Sequence, residues 1–248
     1  MKHLVKIAGL CLASILVTAM AVTATASAAP VWETCKEGAA GTKYTEEQCV
    51  TASGTGKWAW GEVTGTEPAT SLGTLTLIDT KTPVGVVEVG CTGEGRGSVG
   101  PGKFSRVEEI TNISCSNKKN CEVLVKPAKP LNLPWQGELE ETEKTVRNYI
   151  RATNGKGAGW SVTCKTGIFE LTDECTTEKG RTAVSRNFTF GPNNFRELLV
   201  LLNFSPLAKT EDATCTIGGK ESGEVLGSIS LLTRRASGAG PGLRVRGL

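Results

Sequence analysis

Gly73-Thr74-Leu75-Thr76-Leu77-Ile78-Asp79-Thr80-Lys81-Thr82-Pro83-Val84-Gly85-Val86-Val87-Glu88-Val89-Gly90-Cys91 is the stretch on which the fold turns. Leu75 and Leu77 alternate with Thr74 and Thr76, the period-two pattern of a half-buried strand. Lys81-Thr82-Pro83 breaks that run as a turn. The chain then returns with Val87, Val89 and Cys91 on one face and Glu88 on the other. A strand, a turn and a second strand of this kind belong to a β protein.

The same grammar continues outward. Phe188 and Phe190 share a face with Thr189 opposite, and Val225, Ile229 and Leu231 share another, with Gly227 leaving a gap. Gly100-Pro101-Gly102, Asn154-Gly155 and Gly218-Gly219 supply further turns. Many short strands divided this way predict an all-β, disulfide-stabilised sandwich or barrel. Two segments stay ambiguous. Glu141 to Arg151 fits a short helix with Val146, Tyr149 and Ile150 as its stripe, or an edge strand. Asn194 to Asn203, with five consecutive apolar residues from Leu198, fits a central strand or a buried helix.

The first residues address the compartment. Lys2, His3 and Lys6 precede an uncharged, mostly apolar run from Ile7 to Val22, and Ala26-Ser27-Ala28 fits a small-residue cleavage site. Residues 1–28 therefore read as a signal peptide, too short in its apolar run for a membrane span of about 20 residues. Beyond it the chain divides into an N-terminal β half (29–126), a proline-rich crossing or linker (127–134), a C-terminal β half (135–235) and a disordered tail (236–248). The two halves echo one another: Cys91-Thr92-Gly93 and Cys215-Thr216-Ile217-Gly218 each lead into a glycine-rich return. The chain is accordingly either one β domain or two similar β halves joined near Pro127–Pro134.

Cys35, Cys49, Cys91, Cys115, Cys121, Cys164, Cys175 and Cys215 remain after Cys11 leaves with the signal segment. An even number in an oxidising compartment implies four disulfides. Short separations favour Cys35–Cys49 and Cys164–Cys175; of the three pairings open to the other four cysteines, Cys91–Cys115 with Cys121–Cys215 is preferred. With aromatic residues at only 5% of the chain, these bridges are expected to supply cohesion that the apolar interior lacks.

The inventory excludes several chemistries. His3 is the only histidine, so the exported chain has no imidazole for a Ser-His-Asp or Cys-His site or for a histidine zinc site. No paired C-x-x-C units are present, so no metal site is expected. Gly95-Arg96-Gly97-Ser98-Val99-Gly100 matches a dinucleotide fingerprint in letters, but Pro101-Gly102 follows where a helix must open, so it reads as a turn and no cofactor is expected. The formal charge of +3 loses two with Lys2 and Lys6, and Arg234, Arg235, Arg244 and Arg246 concentrate positive charge at the end. The mildly acidic body before them does not suit nucleic acid.

Candidate binding residues are Trp58 and Trp60, whose i,i+2 spacing places both indoles on one strand face, and Trp135. Glu138 and Glu140 form the nearest approach to a carboxylate pair; Glu108-Glu109 and Asp173-Glu174 are adjacent pairs of less promise. Ser116 to Asn120, between Cys115 and Cys121, is the best candidate for an inhibitor-like loop.

Several pieces together resemble a group of uncharacterised secreted, cysteine-containing proteins of soil actinobacteria. They are Cys35 to Cys49 with the Trp58/Trp60 strand, Leu77-Ile78-Asp79-Thr80-Lys81, Val89-Gly90-Cys91, Val125 to Trp135, Gly159-Trp160-Ser161-Val162-Thr163-Cys164 and Cys215-Thr216-Ile217-Gly218-Gly219. The resemblance implies export and the cysteine framework, and carries no activity. The end after Leu232 departs from that group's pattern.

The sequence reading is accordingly a secreted or cell-wall-associated, non-catalytic binding or structural module, not an enzyme. Its expected partner is a cell-wall glycan or an extracellular protein, without nucleic acid and without stable membrane insertion. The alternatives are a carboxylate-dependent glycoside or cell-wall hydrolase and a protease-inhibitor-like binder.

Overall fold

The structure is a computed structural model that describes residues 29–142, 145–177, 180–190, 197–204, 213–235 and 238–247. Residues 1–28, expected to be a signal peptide, lie outside the described residues. The described chain is all-β, with no helix among the described residues, and consequently none long and apolar enough to cross a membrane.

Among the described residues sixteen strands follow in order: β1 (Val31–Glu37), β2 (Trp58–Glu62), β3 (Glu67–Thr82), β4 (Gly85–Val99), β5 (Phe104–Lys119), β6 (Val123–Leu131), β7 (Trp135–Thr142) and β8 (Thr145–Ala152). Then come β9 (Ala158–Thr166), β10 (Phe169–Thr177), β11 (Arg181–Phe190), β12 (Glu197–Phe204), β13 (Ala213–Cys215), β14 (Gly219–Arg235), β15 (Gly238–Ala239) and β16 (Leu243–Arg246). Both ambiguous segments are strands. β8 is not an edge, since β7 and β11 flank it. Its alternation buries Val146 and Asn148, where a helical stripe would have joined Val146 to Tyr149 and Ile150.

The long strand β14 organises the architecture. It pairs along its length with β3, and β3 leads through β4, β5, β7, β8, β11 and β12. β12 pairs in turn with Gly227–Leu231 of β14, so eight antiparallel strands return on themselves. Near its start β14 pairs instead with β13, and the sheet runs on through β10 and β9 to β6 as a curled flap approaching a half-barrel. The inner faces of ring and flap share one apolar cluster, in which Leu77, Val89 and Val225 meet Trp160 and Val162.

The opening hairpin forms as its alternation requires: Leu77 pairs with Val89 and Leu75 with Cys91. The proline-rich stretch is not a joint between two halves. Its first part belongs to β6, and strands from both sides of it alternate within one sheet. Nor are the two cysteine-glycine stretches equivalent. Residues 91–99 continue straight through β4, whereas Thr216–Gly218 turn the chain between β13 and β14. Of the fingerprint-like glycines, Gly100 follows the end of β4 in the turn toward β5 with a φ of 80°, while Gly95 and Gly97 lie inside β4. Gly97 is required there because a Cβ would stand 1.8 Å from the Arg106 carbonyl oxygen.

The described part of the expected disordered tail, residues 238–247, carries two strands. β16 pairs with β1, which pairs with β2, in a separate three-stranded sheet. Leu243 and Val245 are 0% and 1% exposed, and Arg244 meets Glu33 at 2.6 Å. The Asn187 side-chain amide donates to the Val245 carbonyl and accepts from its N–H, tying β16 to β11. Alternating apolar residues in Leu243-Arg244-Val245-Arg246 outweigh the low complexity around them.

Four disulfides are present: Cys35–Cys49, Cys91–Cys115, Cys121–Cys164 and Cys175–Cys215. The expected Cys164–Cys175 and Cys121–Cys215 pairings are corrected by register. In the β9–β10 hairpin Cys164 faces Leu171 and Cys175 faces Trp160. That separates the two sulfurs by four rungs, roughly 13 Å, beyond disulfide reach.

Candidate functional site

Two inward-facing rows carry acids where an apolar residue would ordinarily stand. On β3 the row is Leu75, Leu77, Asp79; on β10 it is Leu171, Asp173, Cys175. The intervening strands bring them together, for Asp79 pairs with Gly223, Gly223 with Ala213, and Cys215 with Cys175. One carboxylate oxygen from each of Asp79 and Asp173 and the sulfurs of Cys175 and Cys215 all lie within 4.8 Å of one another.

Glycine makes the approach feasible. A Cβ on Gly218 would fall 2.0 Å from Asp79 Oδ1, and one on Gly223 would fall 2.7 Å from the Cys215 sulfur. The Gly218 N–H instead donates to Asp79 Oδ2 at 3.0 Å, and the Lys81 N–H donates to Asp79 Oδ1 at 2.9 Å. Asp173 Oδ1 accepts from the Ile217 N–H and the Thr216 hydroxyl, both at 3.0 Å. Asp173 Oδ2 is left facing the disulfide, 3.6 Å from the Cys175 sulfur, which is bonded to Cys215 and has no proton to donate.

Burial and the neighbouring Asp79 carboxyl push Asp173 up to about 6 from an ordinary 3.8, against the opposing pull of the Ile217 N–H and Thr216 hydroxyl. Two carboxyls this close favour a single shared proton over two charges. Asp79, 4% exposed, is the inner member, and Asp173 is the half-buried outer one. Beside them lies a cavity of about 30 Å³ whose wall includes Val89, Trp160, Val162 and Leu171. It has room for about one or two waters.

The sulfurs, tied in a disulfide, offer no thiolate to a metal. Three of the four carboxylate oxygens already accept hydrogen bonds, so the free valence of the cluster is at Asp173 Oδ2. The arrangement is suited to holding and moving a proton.

The residues singled out in the sequence lie elsewhere. Trp58 and Trp60 do share a face of the three-stranded sheet, each half-buried. Trp60 is packed edge-on against Tyr44 and beneath the Arg244 guanidinium, 4.4 Å from its ring centre. Trp135 stands in the other sheet, donates its indole N–H to the Leu131 carbonyl and lines the ring interior. Glu138 lies on the opposite face of β7 from Trp135, held by Lys103 and Arg151, so those acids and that indole do not converge. Ser116 to Asn120 is no disulfide-bracketed loop, because Ser116–Lys119 continue β5 and the flanking cysteines bond elsewhere.

Fold and cluster together define an all-β, disulfide-bonded protein with a close carboxyl pair, Asp79 and Asp173, set into its inner wall. Comparison with protein-family models, curated proteins and solved structures finds no match. The expectation of a purely non-catalytic binding or structural module, and of a chain that is not an enzyme, is corrected by this cluster. A buried acid pair beside a disulfide makes acid–base chemistry plausible, and favours the carboxylate-dependent alternative.

Proposed function

We propose that the chain is an extracellular carboxyl-dependent hydrolase of cell-wall polymer, with Asp79 and Asp173 as its acid–base pair. The observation that carries this reading is the pair itself: two carboxyls with an oxygen of each within 4.8 Å of the other, beside a water-sized cavity. One carboxyl in its charged form takes a proton from the attacking water. The other, in its neutral form, protonates the leaving group. The pair is closer than the roughly 5–5.5 Å or 6.5–9.5 Å separations of glycosidase acids that flank a sugar. It therefore works as one unit that activates water, a chemistry open to both the glycosidic and the peptide bonds of a wall polymer.

A platform lies along the same strand. Phe169 shares the face of β10 that carries Leu171 and Asp173, and with Ile168 it is 65% and 89% exposed. An exposed ring roughly 13 Å from the acids suits stacking of a sugar or peptide segment that reaches the pair. The signal-like segment 1–28 and the likeness to secreted actinobacterial proteins support placement outside the membrane.

The test is incubation of the oxidised protein with purified peptidoglycan, reading new reducing ends and new amines separately. Release is expected at pH 5, falling as pH passes about 6, when the shared proton is lost. Asp79→Asn and Asp173→Asn should each lower the rate by about 100-fold or more while the four disulfides persist. No release of either kind, or variants as active as the parent, overturns the reading.

A further inference from the structure

A second cavity, of about 190 Å³, lies between the inner face of the eight-stranded ring and flap strands β6 and β9, separated from the acid pair by Leu77 and Trp160, which line both. Native interiors are close-packed, so a void of this size is a feature to be explained. Its origin is legible in β4, where Gly93, Gly95 and Gly97 occupy successive inward positions and leave that stretch of wall without side chains. Leu75, Ile110, Ile150 and Leu231 supply much of the rest, an apolar lining.

Polar side chains interrupt that lining, among them Thr70, Ser105, Asn148 and Thr177, and Thr70 Oγ1 and Asn148 Oδ1 are both buried without a hydrogen-bond partner among the described residues. Asn148 stands on the inward face of β8, 1% exposed. Buried acceptors are rarely left unmatched. A dry hydrocarbon-lined cavity of about 150 Å³ admits a benzene ring, so the space here fits a molecule of one ring with a short substituent.

We infer that this cavity is a binding site for a small, neutral, largely hydrocarbon molecule bearing one hydroxyl, which donates its hydrogen bond to Asn148 Oδ1. The hydrocarbon part leaves water for the apolar wall, and the hydroxyl recovers inside the hydrogen bond it gives up on entry. A site built to accept a donor discriminates against the analogue that lacks it. The inference does not depend on the acid pair, whose residues play no part in the cavity wall.

The experiment titrates the oxidised full chain with 4-ethylphenol and, in parallel, with ethylbenzene, following protein NMR shifts and calorimetric heats. The phenol is expected to bind one-to-one and about tenfold or more tighter than the hydrocarbon. Asn148→Leu should abolish that preference while ethylbenzene still binds, and Ala128→Phe, which fills the cavity from β6, should exclude both. Absence of binding by both probes to the unaltered protein overturns the inference. So does equal affinity for the two, a comparison that needs no variant to fold. Peptidoglycan hydrolysis unchanged in Asn148→Leu is expected, which keeps this site distinguishable from the acid pair.

Discussion

Replacing Asp173 by asparagine should make the protein's stability less sensitive to pH, and by an amount the structure bounds. Asparagine keeps the shape of the carboxyl, keeps an oxygen to accept from Thr216 and Ile217, and presents an N–H toward Asp79 as a protonated aspartic acid does. Between pH 3.8 and about 6 the folded Asp173 retains a proton that the unfolded chain has released. The unfolded state then binds fewer protons, so stability falls as pH rises through that window and is fully present below it. At about 1.4 kcal/mol for each tenfold difference in proton affinity, the loss is capped near 3 kcal/mol. Asp173 is only half-buried, and water screening brings the expected loss to roughly half of that, about 1.5 kcal/mol. In a domain of this size that is a fall of roughly 3–6 °C in melting temperature. Thermal and urea unfolding at pH 4 and pH 7 measure it, with the parent and the variant compared at each pH so that other acids cancel. Parallel pH profiles for the two proteins would refute the shared-proton account.

Two further outcomes follow from the packing. Ending the chain at Gly242 removes the fully buried Leu243 and Val245 and strands Glu33 without Arg244, at an expected cost of about 3–6 kcal/mol in urea unfolding. Peptide mapping of the oxidised protein should recover Cys121–Cys164 and Cys175–Cys215, and replacing the latter pair by alanine should cost about 2–4 kcal/mol and return Asp173 toward an ordinary carboxyl in an NMR titration.

The strands were legible because their alternation is local. Leu75 and Leu77, Val87 to Cys91, and Val225 to Leu231 lie where period two puts them. Pairing was legible only where it agreed with nearness in sequence. Cys91 and Cys115 face each other across neighbouring strands, but Cys164 and Cys175, closer in the chain, are carried apart by their register. The acid pair left a trace that alternation alone could have exposed, since Asp79 continues the row of Leu75 and Leu77, and Asp173 stands between Leu171 and Cys175. A charged residue on a core row calls for a partner. What no local pattern contains is the pairing of β14 with both β3 and β13, which sets two such rows, 94 positions apart, side by side.

That pairing also explains where the sulfur lies. The ring closes through backbone hydrogen bonds, each strand held on both sides. The flap has no such closure, and Cys175–Cys215 joins β10 to β13 while Cys121–Cys164 anchors β9. β5 pairs with β7 only over Phe104–Val107, and Cys91–Cys115 fastens its far half to β4. Cys91–Cys115 and Cys175–Cys215 thus reinforce residues already opposed in a backbone ladder, and the acid pair sits beside the second of them. Cys215 begins the turn whose Thr216, Ile217 and Gly218 aim a hydroxyl and two N–H groups at the carboxyls. An acid with a raised proton affinity weakens the fold wherever it is ionised. Here a covalent bond between the strands holds the donors in place against that cost, so the element that secures the flap also maintains the geometry on which proton sharing depends.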